Sequence, residues 1–290
     1  MVSSKDQPEM DKKAKIYAVV NRKGGVGKTT TAVTLGYGLA KMIAGDGHVL
    51  IVDLDPQGNV ATSLGLSANG HDIADVLTGD SPVEEAILHA DRSQGGGPAR
   101  PNLWVLPASD ALADAKLTLV ANAALTSVLD QFGGRATKVV PTDQLLQTHL
   151  AKAVATFDYI ILDCPPSLDM LGTAIYHFAD EAVVPVKVDY LGVGGTARHT
   201  QDIIQAQAEG IDIRVGVIVP TFVRAREILA RQMMRALIDS YGKSRVAVPI
   251  PQSVALEQAP AAGGLTVFEY APGSVPAKAY WRLVEKIYNG

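Results

Sequence analysis

Short apolar runs recur along the chain, separated by longer stretches in which apolar residues follow a helical spacing. The runs are rich in Val, Ile and Leu, which is typical of strands that are buried on both faces. We predict seven strands, at residues 16–20, 49–52, 103–106, 159–162, 182–186, 215–219 and 246–248.

Helical spacing is clearest in four of the intervening stretches, at residues 30–43, 143–155, 196–209 and 227–241. Because strands and helices alternate, we predict an α/β fold with a largely parallel, twisted sheet covered by helices on both faces. We expect a single domain over residues 15–290, preceded by a flexible polar tail over residues 1–14. Glycine-rich segments predict exposed loops within insertions at residues 91–100 and 131–142.

Composition narrows the class of protein. The chain has 290 residues, of which 47% are hydrophobic and 19% charged, so it can bury a sizeable core. The single cysteine, Cys164, cannot form an internal disulfide, and no apolar stretch reaches the roughly 18 residues that span a bilayer. We therefore expect a cytoplasmic protein. The net charge of -4 argues against a protein coated in positive charge, but a global sum says nothing about local basic patches.

The most specific motif, KGGVGKTT, follows the first predicted strand and opens the first predicted helix, which is the setting of a phosphate-binding P-loop. Its glycines let the backbone turn N–H groups toward phosphate oxygens, and the helix N-terminus adds partial positive charge. Lys28 is expected to hold the β- and γ-phosphates, and the Thr29 hydroxyl to ligate Mg²⁺. The residues expected to bind nucleotide here are Lys23, Gly24, Gly25, Val26, Gly27, Lys28, Thr29 and Thr30.

Three carboxylates follow predicted strands at the ends where open α/β sheets bind ligands. Asp53 and Asp55 lie in the segment VDLDPQGN, and Asp163 lies in IILDCPPS. A lone Asp after a strand is more often a helix cap than a catalytic group. Three carboxylates combined with one P-loop instead favour a site for Mg²⁺ and a reactive water.

These features together resemble the ParA family of deviant Walker A ATPases, which partition plasmids, chromosomes and other cellular cargo. The resemblance covers nearly the whole chain and rests on KGGVGKTT at 23–30, DLDPQGN at 53–59 and DCPPSL at 163–168. Where an ordinary P-loop has glycine, this chain has Arg22, and Lys23 then matches the family's signature lysine. The resemblance implies an ATPase that forms a homodimer around ATP and Mg²⁺.

The resemblance also implies roles for single residues. Lys23 would reach across the dimer interface to the partner's phosphates, and with Lys28 and Asp55 it would form the catalytic group. Asp55 would orient or activate the attacking water. Asp53 would support the Mg²⁺ environment, and Asp163 would contact Mg²⁺ through water.

Further binding sites are implied in the same way. The region that frames the adenine ring in the family matches Thr221, Pro249 and Pro251, although proline-rich strand ends are commonly only turns. A partner resembling ParB would stimulate slow hydrolysis. The ATP-bound protein would associate with the nucleoid through nonspecific double-stranded DNA.

A basic segment at residues 221–245 is the candidate DNA interface, since it carries a net charge of +4 in an acidic chain. Arg224, Arg231 and Arg235 would share one helical face if the helix extends that far. A solvated helix face is the alternative, and Gln252 and Ala255 occupy positions where many family members have arginines. The residues expected to bind DNA are Arg224, Arg226, Arg231 and Arg235.

Three other interpretations compete with this one. A MinD-like ATPase would position itself on a membrane through a basic amphipathic C-terminal helix, but the end of this chain favours a helix packed on the core, so we expect no stable membrane association. A nucleotide-gated regulator acting only through protein contacts stays open. Relatives that bridge an iron cluster need two cysteines per subunit, and Cys164 alone cannot supply them.

Overall fold

A computed structural model describes residues 14–43, 45, 47–131, 139–167, 169–189, 192–224 and 226–290. Seven strands form one sheet in the order β3-β4-β2-β5-β1-β6-β7. The strands are β1 Lys15–Val19, β2 Val49–Asp53, β3 Leu88–His89, β4 Leu103–Leu106, β5 Tyr159–Asp163, β6 Glu181–Lys187 and β7 Arg214–Thr221. All neighbouring strands are parallel except β3, which runs antiparallel to β4 at one edge. The predicted α/β fold with a largely parallel sheet is confirmed.

Six of the seven predicted strands are confirmed, and the one at residues 246–248 is wrong. Val246 forms only an isolated parallel bridge with Ile218. A regular ladder stops there because neither Pro249 nor Pro220 in β7 has an N–H to donate. Contact with β7 continues only irregularly, through the Ile250 N–H to the Pro220 carbonyl at 2.8 Å and a bridge between Val223 and Pro251. The seventh strand is instead β3, whose two residues are too short to give a periodic signal in the sequence.

Thirteen α-helices surround the sheet in the part of the chain that the structure describes. They are α1 Lys28–Met42, α2 Asn59–Ser63, α3 Ile73–Thr78, α4 Val83–Ala86, α5 Ala111–Gln131, α6 Leu145–His149, α7 Ala151–Thr156, α8 Leu171–Phe178, α9 Gly192–Ala208, α10 Ile228–Tyr241, α11 Val254–Ala261, α12 Val267–Tyr270 and α13 Val275–Tyr288.

The prediction of one continuous helix at residues 143–155 is wrong. A 3₁₀ turn at Thr142–Gln144 leads into α6 and then α7, and Leu150 joins the two helices with φ −102° and ψ 12°. Leu150 is fully buried. The turn that it makes directs its side chain into the core, and that requirement outweighs the local helical preference.

Strand residues alternate between two apolar layers, one on each face of the sheet. In β1, Tyr17 and Val19 join the layer that contains residues of α1 and α13, and Ile16 and Ala18 join the layer on the opposite face. This alternation explains why the strands appear as continuous apolar runs in the sequence, since both faces of the sheet are covered. It leaves the carboxyl ends of the strands as the place for polar side chains.

The predicted insertions are only partly described. Residues 132–138 and the tail residues 1–13 lie outside the described part of the chain, whereas Ala14 is buried and its N–H donates to the Val154 carbonyl at 3.1 Å. In the first insertion, residues 93–96 are exposed as predicted, around a 3₁₀ turn at Ser93–Gly95. Arg100 at its end is buried, with 2% of its surface exposed.

Candidate nucleotide-binding site

The predicted P-loop lies between the end of β1 and the start of α1, at the carboxyl edge of the sheet. Gly25 and Gly27 adopt φ values of 68° and 87°, a region that other residues enter at a cost. Gly24 and Gly25 are exposed, and α1 begins directly afterwards at Lys28. The segment therefore presents open backbone and a helix N-terminus to an anion, as the sequence predicted.

Side chains outside the motif hold the loop in place. The Asn21 amide donates to the Pro185 carbonyl in β6 at 2.8 Å, and its oxygen accepts from the Lys23 N–H at 2.9 Å. On the other side, the buried Thr221 hydroxyl donates to the Val26 carbonyl at 2.9 Å. These bonds fix both ends of the loop before any ligand binds, which lowers the ordering cost of phosphate binding. No motif or periodicity in the sequence indicated this role for Asn21.

Lys28 is 8% exposed and its ammonium group donates to the Lys23 carbonyl at 3.3 Å. Burial lowers the pKa of Lys28, and the negative charges of Asp163 and Asp55 oppose this shift. The ammonium therefore lies among carboxylates at the mouth of the loop. This is the position from which a P-loop lysine neutralises phosphate charge.

Lys23 is held within its own chain. Its ammonium group lies 3.0 Å from Oδ1 and 3.3 Å from Oδ2 of Asp189, just beyond β6. Lys187 approaches the same carboxylate at 3.6 Å. The neighbouring residue, Arg22, pairs with Asp202 on α9 at 2.8 Å. Both cations that precede the glycines are thus paired on the surface of one protomer.

The three predicted carboxylates come together at the ends of two adjacent strands. Asp53 and Asp163 are register partners at the ends of β2 and β5. Asp53 is fully buried and accepts from the N–H groups of Asp55 and Val60, both at 3.0 Å. Burial nevertheless raises the pKa of Asp53 to about 6.

Asp163 is buried without the backbone N–H donors that Asp53 has. It is 1% exposed, and neither carboxylate oxygen makes a well-aligned hydrogen bond to a described residue. Burial, and then the charge of Asp53, raise the pKa of Asp163 well above its usual range, although the nearby Thr29 hydroxyl and Lys28 ammonium counter the rise. Two buried carboxylates with too little positive charge suit a site that receives a cation.

These residues fit a magnesium ion bound together with a nucleotide. Among the described residues, no three His, Cys, Asp or Glu side chains form a group that could hold a metal by themselves. Magnesium commonly takes one or two carboxylates and completes its shell with water and phosphate oxygens. The oxygens of Asp163, with Thr29 and Asp53 beside them, supply that smaller set.

Asp55 follows Asp53 by two residues and is only partly buried. Its Oδ1 accepts from the Gln57 N–H at 3.1 Å, and its carbonyl accepts from the Gly58 N–H at 3.0 Å. The Asp55 carboxylate is near enough to Lys28 for its negative charge to oppose the lowering of the Lys28 pKa. A partly solvated carboxylate at this place can accept a proton from water.

A cavity of about 260 Å³ opens beside the P-loop and is lined by residues from β7, α11 and α13. Of the three residues expected to frame the adenine ring, Thr221 and Pro251 line this cavity and Pro249 does not. Phe222 also lines it with a φ of 54°, and the Lys187 ammonium lies 5.5 Å from the centre of the Phe222 ring. A non-glycine residue in this conformation is strained, and such residues cluster at ligand sites. An apolar wall with a few polar groups suits a nucleotide base.

The four candidate arginines are all exposed, but they do not form one helical stripe. Glu227 is extended and α10 begins only at Ile228, so Arg224 and Arg226 lie in the loop before the helix. The shared face predicted for Arg224 is therefore wrong, and only Arg231 and Arg235 share a face of α10. Arg224 donates instead to the side chain of Gln252, a residue that lines the cavity beside the P-loop, at 2.6 Å.

The C-terminal helix packs against the core. Tyr280, Val284 and Ile287 of α13 are buried, which confirms the expectation of a core-packing helix. The Tyr280 hydroxyl lies 3.2 Å from that of Thr31 in α1. None of the helices in the described ranges is long and apolar enough to cross a membrane.

Comparisons with known proteins agree with this geometry. A profile of the family described as AAA domain matches residues 14–214. The Bacillus subtilis sporulation initiation inhibitor protein Soj is 31% identical over 277 residues, which cover 94% of this chain and 98% of that protein. The Thermus thermophilus chromosome-partitioning ATPase Soj is 32% identical over 279 residues, with 95% and 96% coverage. The crystal structure of Mycobacterium smegmatis cobyrinic acid a,c-diamide synthase with bound ATP analogue and magnesium has a TM-score of 0.72 at 27% identity, and 95% of each chain is covered.

Proposed function

The chain belongs to the ParA/Soj family of partitioning ATPases, and we propose that it is an ATP-driven switch that dimerises around MgATP and binds nonspecific DNA in that state. The observation that carries this proposal is the pairing of an open glycine cradle with Asp163, a buried carboxylate whose oxygens lack well-aligned partners among the described residues. A buried carboxylate of this kind is costly unless a cation reaches it, and the glycine loop beside it suits the phosphates that would bring the cation.

The chain's own residues would supply most of the catalysis. The backbone of the glycine loop and Lys28 hold the phosphates, while Thr29, Asp53 and Asp163 provide the magnesium environment. Magnesium, when bound, would withdraw charge from the phosphate oxygens. Asp55 would orient the attacking water and accept its proton, so that ADP and phosphate are formed. Positioning and charge stabilisation dominate such reactions, which agrees with slow turnover until a partner completes the site.

Dimerisation supplies the remaining cation. Two bound triphosphates bring strong negative charge to a shared interface, and a cation from each protomer offsets it. Lys23 is the candidate because it lies at the start of the P-loop and is one-third exposed. Its bond to Asp189 must break before it can reach the partner's nucleotide.

DNA binding is proposed for the exposed arginines Arg224, Arg226, Arg231 and Arg235. Arginines that contact phosphates carry no base information, so binding would not depend on sequence. One protomer offers a small patch, and two patches on one dimer surface raise the apparent affinity because the second contact is intramolecular. ATP would therefore control DNA binding through dimerisation, and a ParB-like partner would end the cycle by stimulating hydrolysis.

Co-sedimentation tests this proposal against the other two. The protein would be centrifuged with unrelated DNA fragments and, separately, with anionic liposomes, each in the presence of ATP and of ADP. The proposal predicts ATP-dependent pelleting with DNA of any sequence and none with liposomes. Pelleting with liposomes alone would support a membrane-positioning ATPase. An ATP-dependent dimer that pellets with neither would support a regulator that acts through protein contacts.

A further inference from the structure

The glycine-rich insertion at residues 91–100 joins two segments that belong to different parts of the site. One segment ends α2 at Leu64 and Gly65, and the other follows α11 at Gly263 and Gly264. The two backbones are in direct contact, and a Cβ atom on Gly264 would collide with the Gly65 N–H and with the backbone of Leu64. Glycine is therefore required for the approach.

Arg100 binds both segments at once. Its guanidinium donates to the Leu64 carbonyl at 2.8 Å and to the Gly264 carbonyl at 2.6 Å, and it forms a two-pronged pair with Glu269 at 2.8 and 2.9 Å. The side chain is fully buried. Burial alone would raise the pKa of Glu269, but bonds from Arg100 and Thr266 outweigh it and lower that pKa. The buried positive charge of Arg100 is thus compensated by Glu269, and the hydrogen bonds fix the position of the guanidinium.

Arg92 binds the neighbouring carbonyls, one residue after Leu64 in the first segment and one residue before Gly264 in the second. It donates to the Gly65 carbonyl at 2.9 Å and to the Gly263 carbonyl at 2.6 Å. The loop that carries it closes on itself, since the Arg92 N–H donates to the Pro98 carbonyl at 3.1 Å and the Gly97 N–H returns to the Arg92 carbonyl at 3.0 Å. Two arginines from one insertion therefore hold two consecutive pairs of carbonyls.

Each clamped segment leads directly to ligand-binding groups. Residues 53–63 carry Asp53 and Asp55, and the Val60 N–H in α2 donates to Asp53 at 3.0 Å. On the other side, α11 contributes Leu256, Glu257 and Pro260 to the cavity beside the P-loop, which we call the base cavity because its apolar wall suits a nucleotide base. Ser63 and Ala259 also line one small cavity, so α2 and α11 pack against each other.

We infer that Arg92 and Arg100 are positioning residues that join the base cavity to the Asp55 segment, so that a nucleotide base held against α11 steadies the carboxylates at the end of β2. This inference rests on the proposed function and extends it to how the site is assembled. Arginine suits this role because its planar guanidinium presents several N–H donors in different directions. A lysine ammonium is compact and cannot reach two carbonyls and a carboxylate at once.

Hydrogen–deuterium exchange tests directly whether Arg92 and Arg100 couple the base cavity to the Asp55 segment. ADP would be added at saturating concentration in EDTA, so that neither a metal nor a γ-phosphate can act on Asp53 or drive dimerisation. Exchange would be followed at residues 21–31, 254–264 and 59–65. The variants are Arg92→Ala, which removes a partly exposed side chain, and Arg100→Lys, which keeps the buried charge. Arg214→Ala is the matched control, since it removes an exposed arginine at the opposite end of the sheet.

We expect ADP to slow exchange in all three segments of the wild type and of Arg214→Ala. In Arg92→Ala and Arg100→Lys, protection should survive at 21–31 and 254–264 but fall at 59–65 by about fivefold or more, the usual size of coupling between sites. Undiminished ADP protection at 59–65 in Arg92→Ala would overturn the inferred coupling between the base cavity and the Asp55 segment, and would leave the proposed function intact. An absence of protection at 21–31 in the wild type would instead overturn nucleotide binding, and with it the inferred coupling.

Discussion

The Lys23 ammonium lies 3.0 Å from Oδ1 of Asp189 in its own chain, although the family resemblance assigns this lysine to the nucleotide of a partner. Both side chains are about one-third exposed, at 32% and 34%. Ion pairs of this exposure contribute little stability, so the contact can break at small cost when a triphosphate competes for the lysine.

Releasing Lys23 should therefore favour the dimer. We expect Asp189→Asn to lower the protein concentration needed for the ATP-bound dimer by about two- to fivefold, the equivalent of a partly exposed ion pair. Sedimentation velocity across a concentration series measures this. Asp202→Asn is the matched control, because it disrupts the adjacent Arg22 pair and leaves Lys23 in place. A weaker dimer in Asp189→Asn would mean that the carboxylate itself contributes to the interface.

Asp55→Ala should keep ATP bound and lose hydrolysis. The carboxylate lies outside the glycine cradle, so its removal raises the barrier for water attack without removing the groups that hold the phosphates. We expect turnover to fall about a hundredfold or more, as for other positioned bases. Phosphate release and fluorescent-nucleotide binding measure the two effects, with Asp239→Ala on the exposed face of α10 as the control. Near-normal turnover would show that a group other than Asp55 orients the attacking water.

Asp163→Asn should stabilise the nucleotide-free protein. Because the pKa of Asp163 is raised, the folded state binds a proton more tightly than the unfolded chain, so stability falls as pH rises above the usual aspartate range. Asparagine removes this penalty. We expect a melting temperature about 2–4 °C above wild type near neutral pH, which about 1 kcal/mol produces in a chain of this size. The difference should shrink as pH is lowered.

The same variant should lose the benefit of MgATP. The wild type should gain more thermal stability from MgATP than Asp163→Asn does, since the ligand neutralises a carboxylate that the variant lacks. Differential scanning fluorimetry with and without MgATP, from pH 5 to pH 7.5, records both effects. Equal melting temperatures for the two proteins at every pH would show that the buried charge carries no penalty.

Arg231→Glu should weaken DNA binding by the ATP-bound dimer and flatten its salt dependence. We expect the log–log slope to fall by about one unit for each DNA phosphate that a protomer no longer neutralises. Fluorescence anisotropy with an unrelated duplex at several salt concentrations gives the slope. Arg282→Glu makes the same charge change on α13 and serves as the control. If both variants bound DNA alike while still dimerising, Arg231 would belong to a solvated surface.

The sequence was sufficient where the structure depends on neighbours along the chain. Six of the seven apolar runs form strands as predicted, because a strand covered on both faces is apolar at every position and shows this in its own sequence. The P-loop was predicted because its chemistry lies in one short segment between a strand and a helix. The apolar runs also placed Asp53 and Asp163 at strand ends, whereas their adjacency in the sheet is known only from the structure.

Tertiary structure decided the features that join distant segments. The pairs Lys23–Asp189 and Arg100–Glu269 span 166 and 169 residues, and no periodic pattern records which partner a charged side chain will meet. The break at Leu150 and the start of α10 beyond Arg226 arise likewise from packing and backbone geometry. Local composition sets what a segment can form, but burial and hydrogen bonding against the rest of the fold select the conformation that it adopts.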